Sequence, residues 1–519
     1  MEFLSMEYIL QMISRNWVLV ALVLILLFLY NHYTSTYDHF RNMGVPFLKP
    51  TIILGNIGPR LMLKVSFHDF NIQVYRHFAG LPYGGYFEGR RPLLMLRDPE
   101  LIKTVMIKDF DHFTDRNSLN TRSPIYMKKM LINLKGKEWK SVRAILTPTF
   151  SSGKLRAMEN LVQQCGQQMI EFLKKRSDGD TVMEMKEFTG RFTLEVIGSC
   201  AFGLDCASLK DPEAEFVKMA AKFTDVPLVN RFFFFLVLLL HPPFLKYLPV
   251  TMLNSISINS LRDVVVNTKR ERENDPSKRR NDFMQLMVDA AQKEMTENSG
   301  ENEVMTDVNI QGQAILFLIA GFETSSTLLS FACGTLAIMP ELQERLRKDI
   351  KTAAAKNGKE CTYDLVNEIP LLDQVLLETL RMYPPVSRVD RTCTKPYDLP
   401  GTNLHLNVGD VVVIPIAGVM HDPEHYPDPD VFDPERFSPE EKNKRPNQLF
   451  LPFGMGPRNC IGLRFAMMTA KFYLFYLLRD FKLSPCDKTQ TPFKFDRRAM
   501  LLKAEKGAWV NIEPLEAKN

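Results

Sequence analysis

The sequence lacks the cysteine spacing that zinc sites and disulfide scaffolds require. Its 519 residues include eight cysteines, and none of them forms a Cys-x-x-Cys pair. The net charge is only +5, and acidic residues alternate with the basic ones. These absences argue against zinc-binding, disulfide-stapled and nucleic-acid-binding proteins. The cysteines are therefore expected to be reduced thiols in contact with a cytosol.

Nucleotide-binding fingerprints and internal repeats are missing as well. No Gly-x-Gly-x-x-Gly follows a strand pattern and no Walker-type loop is present, so the sequence has neither of these nucleotide-binding motifs. The longest polar stretches, 267–282 and 293–307, are short enough to be loops or solvated helix ends. We therefore predict one domain over residues 61–519.

A long apolar run near the N-terminus determines the predicted compartment. Residues 17–30, WVLVALVLILLFLY, are uncharged, and MEYILQMISRN before them extends the run toward the ~20 residues of a membrane span. A cleaved signal peptide is the alternative, but Glu2 and Glu7 occupy its basic region and no small-x-small cleavage site follows the run. We interpret residues 1–32 as an uncleaved anchor. Basic residues after it predict that the body lies in the cytosol, and the proline- and glycine-containing segment 33–60 is predicted to be a hinge.

Hydrophobic periodicity predicts a mainly α fold of the α+β class. Helical spacing dominates the middle of the chain, whereas LHLNVGDVVVIPI (404–416) has the pattern of strands and turns. The apolar run FFFFLVLLL (232–240) is too short to span a bilayer and is followed by His241 and two prolines. A core helix and a patch that dips into the membrane both remain open for it.

A ten-residue stretch near the C-terminus, FGMGPRNCIG (453–462), combines three glycines with one cysteine. Glycines allow tight loops in which backbone amides point at one atom, and a segment with helical spacing follows Cys460. A thiolate at such a junction is stabilised by the helix dipole and by N–H donors, so it can bind a metal ion. Taken alone, without the surrounding pattern, a cysteine is better explained as a buried structural residue.

The pattern Phe453-x-x-Gly456-x-Arg458-x-Cys460-x-Gly462 resembles the haem-binding signature of the cytochrome P450 superfamily. The resemblance implies haem b (iron protoporphyrin IX) as the cofactor and Cys460 as the axial ligand of its iron. It also implies that Phe453 packs against the haem near the sulfur, that Gly462 belongs to the cofactor site and that Arg458 pairs with a haem propionate.

Two further motifs occur in the order that the family uses. Glu378 and Arg381 in LLETLRMYPP are three residues apart, which places them on one face of a helix. Together with Arg436 in DPERF they resemble the buried Glu-Arg-Arg network that braces the haem-binding core. The segment WKSVR resembles the family's Trp-x-x-x-Arg helix motif. By resemblance, four residues are directed at the propionates: Trp139, Arg143, Arg391 and Arg116.

One long buried helix is predicted from Thr306 or Asp307, as its cap, to Pro340. Within it, AGFETS places a glycine, a buried glutamate and a threonine where helix and burial rules disfavour them, and such local exceptions indicate function.

Ala320 and Thr324 are four residues apart and share a face of this helix. In the family, this face lies on the distal side of the haem, where Ala320 leaves room for dioxygen. Thr324, with Glu323 beside it, is implied to organise proton delivery. A back-bonded threonine in a core helix is the alternative.

The resemblance extends from the anchor to the C-terminus and implies a monooxygenase that inserts one oxygen atom of O2 into a small lipophilic substrate. GVPFLKPTIILGN, AGFETSS and FGMGPRNCIGLRFA are most similar to insect microsomal enzymes of the family-9 type. Two other function classes stay open. One is a haem-thiolate isomerase or dehydratase that acts on peroxides, a reaction that does not need the Glu323–Thr324 pair. The other is a non-catalytic haem-binding protein.

The implied partners are an NADPH-cytochrome P450 reductase in the endoplasmic reticulum membrane and cytochrome b5 as an optional second electron donor. A basic face for docking is expected from Lys135, Lys137, Lys140, Lys442, Lys444 and Arg445. The substrate pocket is expected from mainly apolar segments, namely 114–130, 223–244, 316–324, 385–388 and 499–502.

Overall fold

The structure is a computed structural model and describes residues 16–118, 122–177, 179, 181–211, 213–222, 230, 233, 236–237, 247, 254–280, 282–297, 304–356, 358 and 360–515. The apolar run 232–240 and the predicted pocket segment 223–244 lie for the most part outside the described residues.

The described helices run from the N-terminal apolar segment to the segment after Cys460. In chain order they are α1 (Trp17–Thr34), α2 (His39–Asn42), α3 (Gly58–Leu61), α4 (Phe67–His77), α5 (Pro99–Lys103), α6 (Ile125–Lys128), α7 (Gly136–Leu146), α8 (Ser152–Arg176), α9 (Met185–Ile197), α10 (Glu215–Ala221), α11 (Ser255–Asn274), α12 (Phe283–Glu297), α13 (Asp307–Ile338), α14 (Pro340–Lys356), α15 (Tyr363–Asn367), α16 (Pro370–Met382), α17 (Ile416–Met420), α18 (Pro439–Lys444) and α19 (Leu463–Asp480).

The described strands form three small sheets. The strands are β1 (Tyr83–Glu88), β2 (Arg91–Leu96), β3 (Val182–Glu184), β4 (Val389–Thr392), β5 (Tyr397–Asp398), β6 (His405–Leu406), β7 (Val411–Ile414), β8 (Phe481–Ser484) and β9 (Trp509–Pro514). The largest sheet has the order β1-β2-β7-β4, the second β3-β9-β8 and the third β5-β6. In the largest sheet β7 runs parallel to β2 and antiparallel to β4, with Val412 opposite both Leu94 and Arg391. The prediction of a mainly helical body with minor sheets is confirmed.

The long helix α13 crosses the helical core and has the predicted ends. The Thr306 hydroxyl accepts the backbone N–H of Asn309 as its N-terminal cap, and the helix ends at Ile338, just before Pro340 begins α14. Residues 325–337 are all buried, against α9, α16 and α19 among others. Most of the helical hydrophobic core is therefore arranged around α13.

Two described helices are long and apolar enough to cross a membrane, α1 and α13. Most of α13 is buried in the protein, so it is a core helix, whereas in α1 only Tyr33 is buried. In the segment predicted as a hinge, 33–60, Phe40 and Val45 are buried in the core beside the largest sheet. The ring of Phe40 packs edge-on against Phe87 of β1 at 5.3 Å. This part of the segment is thus attached to the body.

Candidate functional site

Cys460 lies in a tight loop that ends at the first turn of α19. Its backbone N–H donates to the Phe453 carbonyl at 2.8 Å, which closes the loop. Gly456 has φ +71°, and a Cβ atom there would lie 1.9 Å from the carbonyl oxygen of Met106. Only glycine fits this position, because the loop packs directly on the backbone of the neighbouring π-helical turn Thr104–Lys108. Gly462 caps α19, and Phe453 is half-buried against the helical core.

The thiol of Cys460 differs from the other cysteines in its surroundings. Cys460 is exposed, whereas Cys486 is half-buried and the remaining six are buried. Burial of the surrounding loop still raises the pKa of the Cys460 thiol, and the Gly462 N–H, Arg143 and Arg116 oppose that rise. The sulfur is therefore open on one side and lies close to positive charges that favour its thiolate form, whereas burial favours the thiol. A metal ion bound to the sulfur would shift this balance to the thiolate.

Four predicted arginines meet beside this loop. Arg116 donates to the carbonyl of Arg458 at 3.2 Å, and Arg143 donates to the Asn459 side chain at 2.9 Å. The guanidinium of Arg458 lies over the ring of Trp139 at 4.6 Å, so the tryptophan of WKSVR contacts an arginine of the cysteine loop. Arg391 is only 1% exposed, and Arg116 and Arg458 lie close enough to it to disfavour its charged form.

These four arginines are buried or half-buried, and no carboxylate among the described residues neutralises them. Burial, followed by repulsion from Arg116, lowers the pKa of Arg391 and of Arg458 to about 9. Within the described residues, no carboxylate forms an ion pair with any of the four. The buried Nε atoms of Arg116, Arg391 and Arg458 lack hydrogen-bond partners there, as does Nη1 of Arg458. Because buried charges are normally paired, this cluster is suited to a ligand that carries carboxylates.

Residues 320–324 of the AGFETS segment are more accessible than the fully buried part of α13 that follows them. Ala320 is exposed and Thr324 is half-buried, although all residues from 325 to 337 are buried. The Thr324 hydroxyl donates to the Ala320 carbonyl at 2.7 Å. Its proton is thus engaged, while the oxygen lone pairs can still accept a hydrogen bond.

Glu323 has a partner that the sequence analysis missed. Its carboxylate lies 3.1 Å from the ammonium of Lys186 on α9, which also donates to the Ser326 hydroxyl at 2.6 Å and the Thr327 hydroxyl at 2.9 Å. The sequence did contain evidence that Lys186 is buried, because it shares a helix face with Gly190, Thr193 and Ile197.

The Glu378–Arg381–Arg436 group is brought together in the core. Glu378 and Arg381 are fully buried and form a bidentate pair at 2.7 and 2.8 Å, and Arg436 lies 3.6 Å from the same carboxylate. The backbone N–H of Asp433 also donates to Glu378 at 3.0 Å. Burial raises the pKa of Glu378 and the Arg381 contact opposes it. The group ties α16 to the segment that contains Arg436, which is a structural arrangement.

The expected pocket and docking residues are placed as follows. Ser387, Ala499 and Leu502 line one narrow cleft, so two of the predicted pocket segments border the same space. Arg388 forms an ion pair with Glu88 at 2.6 Å and thus has no unpaired charge to offer a ligand. Arg445, one of the predicted docking residues, is half-buried and stacks on Tyr426 at 4.3 Å. The other five are exposed, three of them in or just before α7 and two in α18, namely Lys135, Lys137, Lys140, Lys442 and Lys444.

Comparison with known proteins gives consistent matches over nearly the whole chain. The sequence profile described as Cytochrome P450 matches residues 46–512. Cytochrome P450 9e2 of Blattella germanica is 38% identical over 95% of this chain and 97% of its own length. Probable cytochrome P450 6a13 of Drosophila melanogaster is 38% identical over 96% and 99%, and human cytochrome P450 3A5 is 35% identical over 96% of each chain.

Proposed function

Because this chain belongs to the cytochrome P450 family of monooxygenases, we propose that it inserts one oxygen atom of O2 into a small lipophilic substrate, with electrons that a reductase takes from NADPH. The observation that carries this proposal is the accessible Cys460 thiol beside four arginines that lack anionic partners among the described residues. This is an arrangement suited to a thiolate-ligated cofactor that bears carboxylates.

The residues of the site fit haem b. Among the described residues no group of three or more His, Cys, Asp and Glu side chains could hold a bare metal ion, so a metal bound at Cys460 would have to bring its other ligands with it. A porphyrin supplies those ligands, and its two propionates match the arginine cluster. The sequence has no Cys-x-x-Cys-His motif for covalent haem attachment, which favours the non-covalent haem b. When bound, haem supplies the activation of O2 for insertion into an unactivated bond.

The side chains around this cofactor have separate proposed roles. Cys460 would hold the iron, while Arg116, Arg143, Arg391 and Arg458 would bind the propionates. Thr324 would accept a proton-bearing water at its free lone pairs while its own proton stays bound to the Ala320 carbonyl. Glu323, next to Thr324 and held by Lys186, would complete the acid–alcohol pair. Ala320 leaves the face of α13 open at this point.

The proposal of a lipophilic substrate is supported by the residues of two predicted pocket segments. Arg388 forms an ion pair with Glu88, and the segment from Ala499 to Leu502 contributes an apolar side to its cleft, which Asp496 and Lys503 also line. Apolar cavities with few polar groups select small lipophilic molecules. The family-9-type relative from Blattella germanica is in line with an insect microsomal enzyme.

The proposed membrane anchor and protein partners are based on helix α1 and on exposed lysines of the body. The exposed apolar helix α1 would anchor the protein in the endoplasmic reticulum membrane, with the body on the cytosolic side. The exposed lysines of α7 and α18 would meet acidic groups of an NADPH-cytochrome P450 reductase, and cytochrome b5 would use the same face.

Oxygen consumption by the purified holoprotein tests the proposal. With NADPH, reductase and a panel of lipophilic compounds, at least one compound should stimulate O2 and NADPH consumption and yield an oxygenated product. Conversion of an organic peroxide without NADPH or O2, and no stimulated consumption, would instead indicate an isomerase or dehydratase. Neither activity with fully loaded protein would indicate a haem-binding protein.

A further inference from the structure

The segment that carries Arg116 is fixed on both sides of that residue. On one side, the Thr392 N–H donates to the Asp115 carbonyl at 2.8 Å, which adds residue 115 to the edge of strand β4. On the other side, the backbone N–H of Asn117 donates to Oδ1 of Asp390 at 2.9 Å. Arg116 is therefore held between two contacts to β4, and one of them is made by a side chain.

Asp390 also contacts the next arginine of the cluster. The Nη1 atom of Arg391 donates to the carbonyl oxygen of Asp390 at 2.7 Å. Asp390 and Arg391 lie opposite Val413 and Val412 of β7, so the sheet register fixes both residues. One residue of β4 thus holds two arginines, Arg116 through its carboxylate and Asn117, and Arg391 through its carbonyl.

The negative charge of Asp390 also favours the charged forms of Arg116 and Arg391. Burial lowers the pKa of Arg116, and the Asp390 carboxylate is the main group that raises it again. Burial and two neighbouring arginines lower the pKa of Arg391, and Asp390 is the group that opposes them. Asp390 forms no ion pair of its own with either guanidinium among the described residues, and the buried Nε atoms of both arginines have no hydrogen-bond partner there, so these donors stay available for another anion.

We propose that Asp390 is a positioning residue for the cofactor, which holds Arg116 and Arg391 where their guanidinium groups bind the haem propionates. The inference rests on the proposed haem site. It assigns to Asp390 two separable contributions, a hydrogen-bond acceptor that fixes Asn117 and a negative charge close to the propionate end of the cofactor.

Two substitutions separate these contributions. In Asp390→Asn the side-chain oxygen can still accept the Asn117 N–H, but the charge is gone. In Asp390→Ala both are lost, and the segment around Arg116 keeps only the backbone contact between Asp115 and Thr392. Asp398→Ala is a matched control, because Asp398 is an exposed aspartate in strand β5 whose contact is to the exposed His405.

The test measures haem transfer from the holoprotein to apomyoglobin and the haem reduction potential. Loss of outer-shell partners commonly costs about 10- to 100-fold in affinity for a bound metal group, so haem loss from Asp390→Ala should be faster by about 10-fold or more. Asp390→Asn should keep haem at nearly the wild-type rate but show a more positive potential, since removal of a nearby negative charge favours the reduced state. Asp398→Ala should match wild type in both measurements.

Wild-type haem loss in Asp390→Ala together with a wild-type potential in Asp390→Asn would overturn the assignment. If Asp390→Ala does not accumulate as folded protein, the potential of Asp390→Asn decides alone, and an unchanged value overturns it. A wild-type protein that takes up no haem would instead refute the haem site itself, before any variant is compared.

Discussion

The ammonium of Lys186 lies 3.1 Å from the carboxylate of Glu323 and donates to the Glu323 carbonyl at 2.7 Å. This contact ties the first turn of α9 to the middle of α13, directly beside Thr324. Burial lowers the pKa of Lys186, and Glu323 is the main group that opposes the shift. The carboxylate that sequence motifs assign to proton delivery is thus fixed by a second helix.

Replacement of Lys186 by methionine should destabilise the protein by about 3 kcal/mol, because it leaves the carboxylate of Glu323 buried without its partner. Urea unfolding of the holoprotein measures the loss. The double variant Lys186→Met/Glu323→Gln should recover most of the stability, since no uncompensated charge remains. Wild-type stability in Lys186→Met, or a double variant no more stable than the single one, would contradict this account of the pair.

The two arginines that contact the buried Glu378 should contribute unequally to the stability of the protein. Arg381→Met removes a bidentate, fully buried partner and should cost about 3–5 kcal/mol out of a total stability of about 5–15 kcal/mol. Arg436→Met should cost less, since Arg436 lies 3.6 Å from the carboxylate and is partly exposed. Expression yield, haem content and thermal unfolding give the comparison. Equal losses for the two variants, or full haem content in Arg381→Met, would show that the bidentate pair is not what braces the core.

Substitution of Thr324 by alanine should separate electron transfer from product formation. Alanine favours the helix, so folding and haem content should survive. NADPH oxidation should continue, but product per NADPH should fall several-fold while hydrogen peroxide per NADPH rises, because the hydroxyl that accepts and passes protons is missing. Thr324→Ser keeps a hydroxyl and should restore much of the coupling. Unchanged coupling in Thr324→Ala would leave Thr324 a core helix residue.

The buried His421 should make the fold sensitive to acid. Burial, followed by repulsion from Arg381, lowers the pKa of His421 to about 4, below the value of 6.5 expected in the unfolded chain. Between these two values the unfolded state binds the extra proton, so stability is lost as the pH falls from about 6.5 to 4. His421→Gln should reduce the slope of stability against pH by about 1.4 kcal/mol per pH unit in this window. The exposed His405→Gln serves as the control, and an unaltered slope in His421→Gln would contradict the prediction.

Features formed by residues that are close together in the sequence could be predicted from local patterns. The cap at Thr306 and the end of α13 before Pro340 followed from capping and proline rules. The Glu378–Arg381 contact followed from a separation of three residues on one helix face. Such features need no information from elsewhere in the chain.

Long-range contacts could not be predicted in this way. Lys186 meets a residue 137 positions later, and Asp390 accepts the N–H of a residue 273 positions earlier. The glycine of AGFETS also has a packing reason that its own segment does not reveal. A Cβ atom at Gly321 would lie 2.5 Å from the terminal methyl of Ile197, so any larger residue would force that side chain to shift where α9 packs against α13. The local exception at this position therefore combines packing with the proposed function.

The most direct test of the account is the carbon monoxide difference spectrum of reduced Cys460→Ser. The account predicts loss of the red-shifted band that thiolate ligation gives, together with loss of all reductase-driven oxidation. Cys486→Ser, in which the half-buried sulfur accepts a hydrogen bond from the Thr489 hydroxyl at 3.5 Å, should retain both, as should the corresponding serine variants of the buried Cys165 and Cys333. A wild-type spectrum from Cys460→Ser would contradict the assignment of Cys460 as the haem ligand.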